Sequence, residues 1–242
     1  MNILLIETAT SVCSVALVGD EGVVAELHSD QPNAHSSRLS VFIGQLLDQC
    51  HIPFSQLDGV CVSSGPGSYT GLRIGVSTAK GICYALGIPL LAVPTLQSMA
   101  AQYYAQHPEY RGMVCPMIDA RRMECYTALF AAPSDMLKPV SADIITPGIY
   151  DTFLDRGEVT FIGDGAEKTR PILGQHPNAR YSPSFTISAT GLASLALENL
   201  QQGHTEDVAY FEPYYLKDFV AKKSVVRGLF ETDHSHINTL KN

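Results

Sequence analysis

The order of strand and helix patterns in the first hundred residues constrains the fold more than any other feature. Three short apolar stretches, Asn2 to Ile6, Cys13 to Gly19 and Gly22 to His28, predict strands in close succession. The tight turn GDEG joins the second stretch to the third, and Thr8 to Ser11 is too short for a crossover helix. The sequence therefore predicts an antiparallel meander of three strands.

Helices and single strands alternate after this meander. Residues 33–49 predict a helix with Asn33 as its cap, and residues 57–64 predict the fourth strand. The pattern continues with a helix over 70–86, a strand over 88–93 and a helix over 95–107. This order is typical of a ribonuclease-H-like α/β domain, because a plain doubly wound sheet alternates strand and helix from its start.

The pattern begins again, in degraded form, after a polar connector. Strands are predicted at 113–119, 124–130 and 158–163, and helices at 149–155, 167–173 and 188–201. We therefore predict two ribonuclease-H-like domains with mixed sheets flanked by helices, the second one degenerate. The predicted boundaries are 1–106 and 107–242, with a loosely ordered tail from about residue 219.

Charge and cysteine content restrict the function classes. The formal charge is -8, from 16 Lys+Arg against 24 Asp+Glu, which argues against a broad basic face for nucleic acid. The six cysteines form no CxxC pair, so a reduced, cytoplasmic compartment is expected. Glu7 interrupts the apolar N-terminus, which has no basic start, and no apolar run is long enough for a bilayer. No signal peptide, membrane contact or metal site is expected.

A glycine-rich loop, SSGPGSYTGLRIG at residues 63–75, follows the fourth strand. It matches neither the Walker pattern nor GxGxxG, although such a loop could turn N–H groups toward an anion. We favour a tight strand-to-helix turn that uses glycines for positive φ.

The helix that follows the loop carries a stripe of small residues, Gly71, Gly75 and Ala79. A neighbouring helix can approach such a stripe closely. The alternative is packing on the protein's own sheet, but Ile74, Ile82 and Leu86 are expected to serve that purpose. The pattern favours a second helix interface, with another subunit as the partner.

Three further segments could approach a nucleotide. Glu7 and Thr8, in ETATS, occupy the place where a ribonuclease-H-like kinase puts a carboxylate near metal-bound phosphate; the alternative is a turn with hydroxyls bonded to the backbone. Gly163 and Gly165, in IGDGAEKTR, could approach an adenosine. MIDARRMECY contains no glycine, and its two arginines could attract an anion or crowd the cleft, so a charged hairpin turn is the favoured interpretation.

Five segments together resemble one protein family: ILLIETATSVCSVAL, GPGSYTGLRIG, IPLLAVPTL, IDARRMECY and EPYYLK. They occur in order from Ile3 to Lys217 and are similar to the bacterial TsaB family, part of the tRNA N6-threonylcarbamoyladenosine biosynthesis machinery. The resemblance implies two ribonuclease-H-like halves and a non-catalytic partner of the paralogue TsaD, which transfers threonylcarbamoyl to adenosine 37 of tRNA. Thr95 and Met99 stand where the HxxxH metal motif of the TsaD pattern would fall, and neither can replace an imidazole.

The resemblance also implies an interface. The first two helices would contact TsaD, and in its absence they would pair two copies of the chain. TsaE, an ATPase, would bind near this interface. The implied contact residues, matching the stripe, are His35, Leu39, Phe42, Leu46, Gly71, Leu72, Gly75 and Ala79. Lys222, Lys223 and Arg227 in the tail could reach the same partner or tRNA.

The sequence thus predicts a scaffold subunit that docks TsaD through helices at 35–49 and 70–84. It would have no catalytic residue and no cofactor of its own, with ATP or ADP held at the interface of the complex and tRNA contacted mainly through the complex. The alternatives are a stand-alone actin-like kinase or ATPase that depends on Glu7, and a metalloprotease.

Overall fold

A computed structural model describes residues 1–31 and 34–217 of the chain. The predicted cap Asn33 and the predicted tail from residue 219 lie outside these residues. Within them, no helix combines the length and the apolarity needed to cross a bilayer.

The first half is a five-stranded mixed sheet. Its strands are β1 (Ile3–Glu7), β2 (Cys13–Gly19), β3 (Gly22–Ser29), β4 (Gly59–Ser63) and β5 (Leu90–Val93), in the order β3-β2-β1-β4-β5. The pairs β1–β2 and β2–β3 are antiparallel, whereas β1–β4 and β4–β5 are parallel. Three helices accompany this sheet: α1 (Ala34–Cys50), α2 (Tyr69–Leu86) and α3 (Thr95–Gln106). The predicted meander and the order that follows it are confirmed.

The second half repeats this topology with shorter helices. Its strands are β6 (Met113–Asp119), β7 (Glu124–Ala132), β8 (Asp135–Ile144), β9 (Val159–Ile162) and β10 (Ala179–Ser182), in the order β10-β9-β6-β7-β8. Read from the other edge, this order matches the first sheet strand for strand. Among the α-helices described in this half, α4 (Asp151–Leu154) and α5 (Arg170–Leu173) are single turns, and α6 (Ala193–Gln202) is longer. The prediction of two ribonuclease-H-like halves is confirmed.

Two strands of the second sheet have no clear sequence pattern. The segment that forms β8 contains Lys138, Pro139 and two aspartates, and its residues are mostly exposed or half-buried. Strand β10 has only four residues. Tertiary pairing with β7 and β9 forms these strands, so local periodicity did not reveal them.

Each half of the chain contributes a helix to the hydrophobic core of the other half. On one face of the first sheet, α1 and α2 cover β1, β2 and β4. The opposite face is covered by α6 and the short 3-10 helix Ala189–Leu192, whose Leu192 and Leu195 pack with Ile3 and Leu5. Conversely, α3 packs on the second sheet, where Met99 joins the core around Phe130. The boundary predicted near residue 106 therefore separates the two sheets but not the two cores.

This exchange of helices predicts cooperative unfolding of the two halves. Leu192 is fully buried in the first core, so Leu192→Ala should reduce the free energy of unfolding by roughly 3 kcal/mol. Amide hydrogen exchange measured at increasing urea concentrations should show lost protection of backbone N–H groups in both sheets. Leu137→Ala, at a position with 41% exposure, is the control and should have little effect. Loss of protection confined to either sheet would contradict cooperative unfolding of the two halves.

Candidate functional site

The turn after β1 encloses the predicted carboxylate, Glu7. Its Oε1 accepts hydrogen bonds from the N–H of Ala9 at 2.6 Å and from the hydroxyl of Ser63 at 2.9 Å. Glu7 Oε2 and Thr8 Oγ1 are buried and have no hydrogen-bond partner among residues 1–31 and 34–217. Burial raises the pKa of Glu7 to about 7, although the donors at Ala9 and Ser63 lower it. The carboxylate therefore lies inside the domain, closed off by its own chain.

The start of α2 lies directly on this turn. A Cβ atom on Gly67 would collide with the carbonyl oxygen of Ala9, and one on Gly71 with that of Thr8. The N–H of Ser68 donates to the Ala9 carbonyl oxygen at 2.6 Å. The Ser68 hydroxyl caps the helix by accepting from the N–H of Gly71 at 3.2 Å. The glycine loop is thus a tight strand-to-helix turn, and the N–H groups of Ser68 and Gly71 bind acceptors within the chain.

The glycines of this loop have two different structural roles. Only Gly65 requires a positive φ, at 113°, and its Cβ position is filled by the carbonyl oxygen of Tyr214. Gly67, Gly71 and Gly75 instead allow the backbone of α2 to approach β1 closely, since a Cβ on Gly75 would overlap the hydroxyl of Thr8. Close approach, more than backbone conformation, explains the glycine content.

The predicted orientation of α2 is wrong. Gly71, Gly75 and Ala79 are buried against the protein's own chain, whereas Ile74 and Ile82 are only half-buried. Seven of the eight implied contact residues, namely Leu39, Phe42, Leu46, Gly71, Leu72, Gly75 and Ala79, lie in the interior. The eighth, His35, is half-buried, with its Nε2 3.0 Å from the carbonyl oxygen of Val12. Their role in partner binding stays a prediction, and a contact through these helices would use their outer surfaces.

A second four-residue repeat covers the outer surface of α2. Ser77, Gly81 and Ala85 are exposed, and a Cβ on Gly81 would meet nothing within 4 Å. Gly44 of the neighbouring helix α1 is equally open. The side chains of Val41 and Tyr84 are 44% and 85% exposed. We call these six residues the outer helix face; the sequence contained this repeat, but periodicity alone could not show which repeat faces solvent.

The segment 204–217, which we call the C-terminal strap, runs across α2 without regular secondary structure. Lys80 Nζ donates to the carbonyl oxygens of Ala209 at 3.2 Å and Phe211 at 2.8 Å. Arg73 Nε donates to the hydroxyl of Tyr215 at 3.2 Å, and Lys217 forms an ion pair with Glu124 of the second half. The strap thereby ties α2 to the second sheet.

A cavity of about 350 Å³ lies in the cleft between the halves. Its carboxylates are Asp30, Asp164 and Glu167, and burial raises the pKa of Asp164. No lysine or arginine of the described part of the chain lines it. Of the predicted nucleotide-binding residues, Gly163 lines the cavity, whereas Glu7, Thr8 and Gly165 do not. Such an acidic cleft is poorly suited to phosphate.

The two residues at the HxxxH positions are structural. The hydroxyl of Thr95 accepts from the N–H of Gly65 at 3.1 Å, and Met99 is fully buried in the core around α3. Across residues 1–31 and 34–217, no group of three or more His, Cys, Asp or Glu side chains is placed to hold a metal ion.

Two halves of matching topology around a cleft define a two-domain ribonuclease-H-like protein. Residues 7–225 match the family model described as TsaD: tRNA N6-adenosine threonylcarbamoyltransferase. The chain is 30% identical to the tRNA threonylcarbamoyladenosine biosynthesis protein TsaB of Haemophilus influenzae, over 93% of this chain and 97% of that protein. It is 29% identical to the Escherichia coli protein of the same name, over 93% and 98%.

A Bacillus subtilis TsaB is 36% identical, over 59% of this chain and 61% of that protein. A solved structure described as YeaZ from Pseudomonas aeruginosa superimposes with a TM-score of 0.75 at 25% identity, covering 89% of this chain and 99% of the other. The chain therefore belongs to the family that the TsaD model describes, and within it to the TsaB proteins.

The two repeats on α2 predict opposite effects for the same substitution. Gly71→Ala should destabilise the protein by about 2 kcal/mol, because the new Cβ meets the rigid carbonyl of Thr8. Gly81→Ala is the matched control; it should stabilise by roughly 0.5–1 kcal/mol, since the position is open and alanine favours helix. Thermal denaturation would measure both. Equal effects would contradict the burial of one repeat and the exposure of the other.

Burial of Glu7 predicts a pH-dependent stability. The carboxyl has an ordinary pKa of 4.5 and a pKa of about 7 in the fold, so the folded state keeps its proton longer. Stability contributed by neutral Glu7 should be present below pH 4.5 and lost as the pH rises toward 7. Glu7→Gln, which stays neutral, should gain roughly 3 kcal/mol over the wild type between pH 4 and pH 8 in urea denaturation. Glu109→Gln, at a side chain with 96% exposure, should show no such gain.

Proposed function

We propose that this chain is a non-catalytic scaffold subunit in the biosynthesis of tRNA N6-threonylcarbamoyladenosine. It would bind and activate a TsaD-type threonylcarbamoyltransferase. Membership of the TsaB proteins supports the role in this modification. The observation that carries the scaffold role is the closed glycine loop: the N–H of Ser68 is bonded to Ala9, where a phosphate-binding loop would keep its donors free.

We assign nucleotide binding to the assembly and not to this chain alone. The cleft offers carboxylates and aromatic rings but no cation from the described residues, so it would repel a triphosphate. Glu7 is enclosed behind the turn and does not line the cleft. These features disfavour the stand-alone kinase, and we infer that any ATP or ADP is held at the interface with a partner.

The outer helix face is the surface we assign to the TsaD-type partner. Gly44, Ser77, Gly81 and Ala85 leave the helix backbones accessible to a close helix contact, and Val41 and Tyr84 add exposed apolar area beside them. The same face would pair two copies of the chain in the absence of that partner. TsaE would join the assembly near this interface, and tRNA would be contacted mainly through the complex.

The proposed compartment is the cytoplasm. All six cysteines carry free thiols, and five of them are buried. Burial raises the pKa of Cys13 and Cys83 to about 11, which keeps these thiols protonated and unreactive. A reducing compartment suits such a set of thiols.

A large charged side chain on the outer helix face should abolish complex formation. Ser77→Arg and Gly81→Arg add bulk at exposed positions, so each variant should fold normally yet fail to co-purify with the matching TsaD-type paralogue. In a reconstituted reaction with the paralogue, TsaE and the carbamoyl-adenylate-forming enzyme, threonylcarbamoyl incorporation into tRNA should fall to the level without this chain.

Gln201→Arg, an exposed position on α6, is the matched control and should leave both measurements unchanged. Variants at the buried stripe would be uninformative, because Gly75→Leu disrupts the packing on Thr8. If both outer-face variants still co-purify and support modification, the assignment of the interface is wrong. If modification proceeds equally well without the chain, the scaffold role itself is wrong.

A further inference from the structure

The hairpin between β6 and β7 carries two adjacent arginines in an unusual backbone conformation. Arg121 and Arg122 have φ angles of 75° and 50°. Hairpin turns that need positive φ at two successive residues strongly favour Asn, Asp and Gly, because a Cβ atom makes this conformation unfavourable. The chain places two long cationic side chains there instead, so the turn alone gives no reason for them.

The backbone of this hairpin is held firmly. The N–H of Glu124 donates to the Arg121 carbonyl oxygen at 3.1 Å, and the N–H of Arg121 donates to Asp119 Oδ1 at 2.7 Å. The N–H of Asp119 donates to Asp164 Oδ1 at 2.9 Å. Lys168 Nζ reaches both Asp119 Oδ1, at 2.5 Å, and the carbonyl oxygen of Glu124, at 2.7 Å. The two arginines therefore project from a rigid base.

Both guanidinium groups are free of protein partners in the part of the chain that the structure describes. The nearby carboxylates are already engaged: Asp119 pairs with Lys168, and Glu124 pairs with Lys217. Burial works to raise the pKa of Asp119, but the Lys168 ammonium and the N–H of Arg121 outweigh it and hold that pKa below its ordinary value. Neither arginine lines the cavity in the cleft, and the segment forms the charged hairpin turn that the sequence favours. Both are exposed.

Local charge at this end of the second sheet is positive, in contrast to the chain as a whole. Four cations, Arg121, Arg122, Lys168 and Lys217, lie with three carboxylates, Asp119, Glu124 and Asp164. A ligand that contacts this hairpin would therefore meet two unpaired guanidinium groups in a locally cationic region.

We propose that Arg121 and Arg122 bind the phosphate backbone of tRNA. The inference rests on the proposed function, which brings tRNA to the assembly. Guanidinium groups form bidentate contacts with phosphate oxygens, and a rigid hairpin tip that presents two adjacent arginines suits backbone contact without base recognition. Two such contacts agree with a chain whose charge of -8 leaves most of the RNA binding to another subunit.

The test separates the charge of the arginines from the shape of the turn. Arg121→Asn combined with Arg122→Gly places residues that tolerate positive φ at both positions, so the melting temperature should be equal to or higher than that of the wild type. The affinity of the reconstituted assembly for an unmodified tRNA transcript should nevertheless fall at least about tenfold. The slope of log K against log salt should become shallower by roughly 1 to 2. Lysine at both positions should preserve that slope and lose less affinity.

Arg111→Ala combined with Arg156→Ala is the matched control. It removes the same charge from two exposed positions in the second half, near the starts of β6 and β9, and should leave the affinity for tRNA nearly unchanged. Equal losses in the control and the hairpin variant would overturn the proposal. Unchanged affinity with loss of co-purification would also overturn it, because the arginines would then contact an acidic protein surface.

The binding assay is also run with the full chain alone, so this inference and the proposed function can fail separately. If the wild-type chain forms no assembly, the proposed function fails, while loss of tRNA binding by the lone hairpin variant still supports the arginine contact. If the wild-type chain binds no tRNA, alone or in the assembly, the arginine contact is overturned whatever the fate of the scaffold role.

Discussion

The contact between the start of α2 and the turn after β1 is the constraint on which the rest of the structure depends. Three glycines let the helix backbone rest on Thr8 and Ala9 without side chains between them. The same approach encloses Glu7, directs the N–H of Ser68 to a protein carbonyl, and sets the distance of α2 from the sheet. The C-terminal strap then passes over Gly65, where any side chain would overlap Tyr214. A single close packing therefore fixes the helix, the loop and the strap together.

Order along the chain predicted the fold, because three strands without a crossover leave few topologies open. Both sheets have the strand order expected from that rule. The second sheet is recognisable even though α4 and α5 are only single turns. Strands β8 and β10 were missed because they owe their conformation to neighbours and not to their own residues. The strap was missed for a related reason: Lys80 and Phe211 lie 131 residues apart, and a segment without periodicity shows no sign of such a contact.

The sequence could not show which face of α2 is exposed, because its periodicity gives two equivalent answers. Helix α2 carries one small-residue repeat at Gly71, Gly75 and Ala79 and another at Ser77, Gly81 and Ala85. Both repeats have a four-residue spacing, so both predict a smooth helix face. Only the position of Thr8 decides which is buried, and that position depends on a tertiary contact. A smooth helix face could be predicted from sequence, whereas the identity of the exposed face required the structure.

The two halves share a topology, and in each of them the turn after the first strand is occupied by the protein's own groups. In the first half, Ser68 bonds to Ala9 and α2 covers the turn. In the second half, Asp164 and Lys168 both bind Asp119, and arginines replace the glycines that close approach of a phosphate would need. A nucleotide gripped between two such turns would have to displace contacts on both sides. Surfaces outside the cleft remain open, at the outer helix face and at the arginine hairpin, and this supports the proposal that the chain acts through partners.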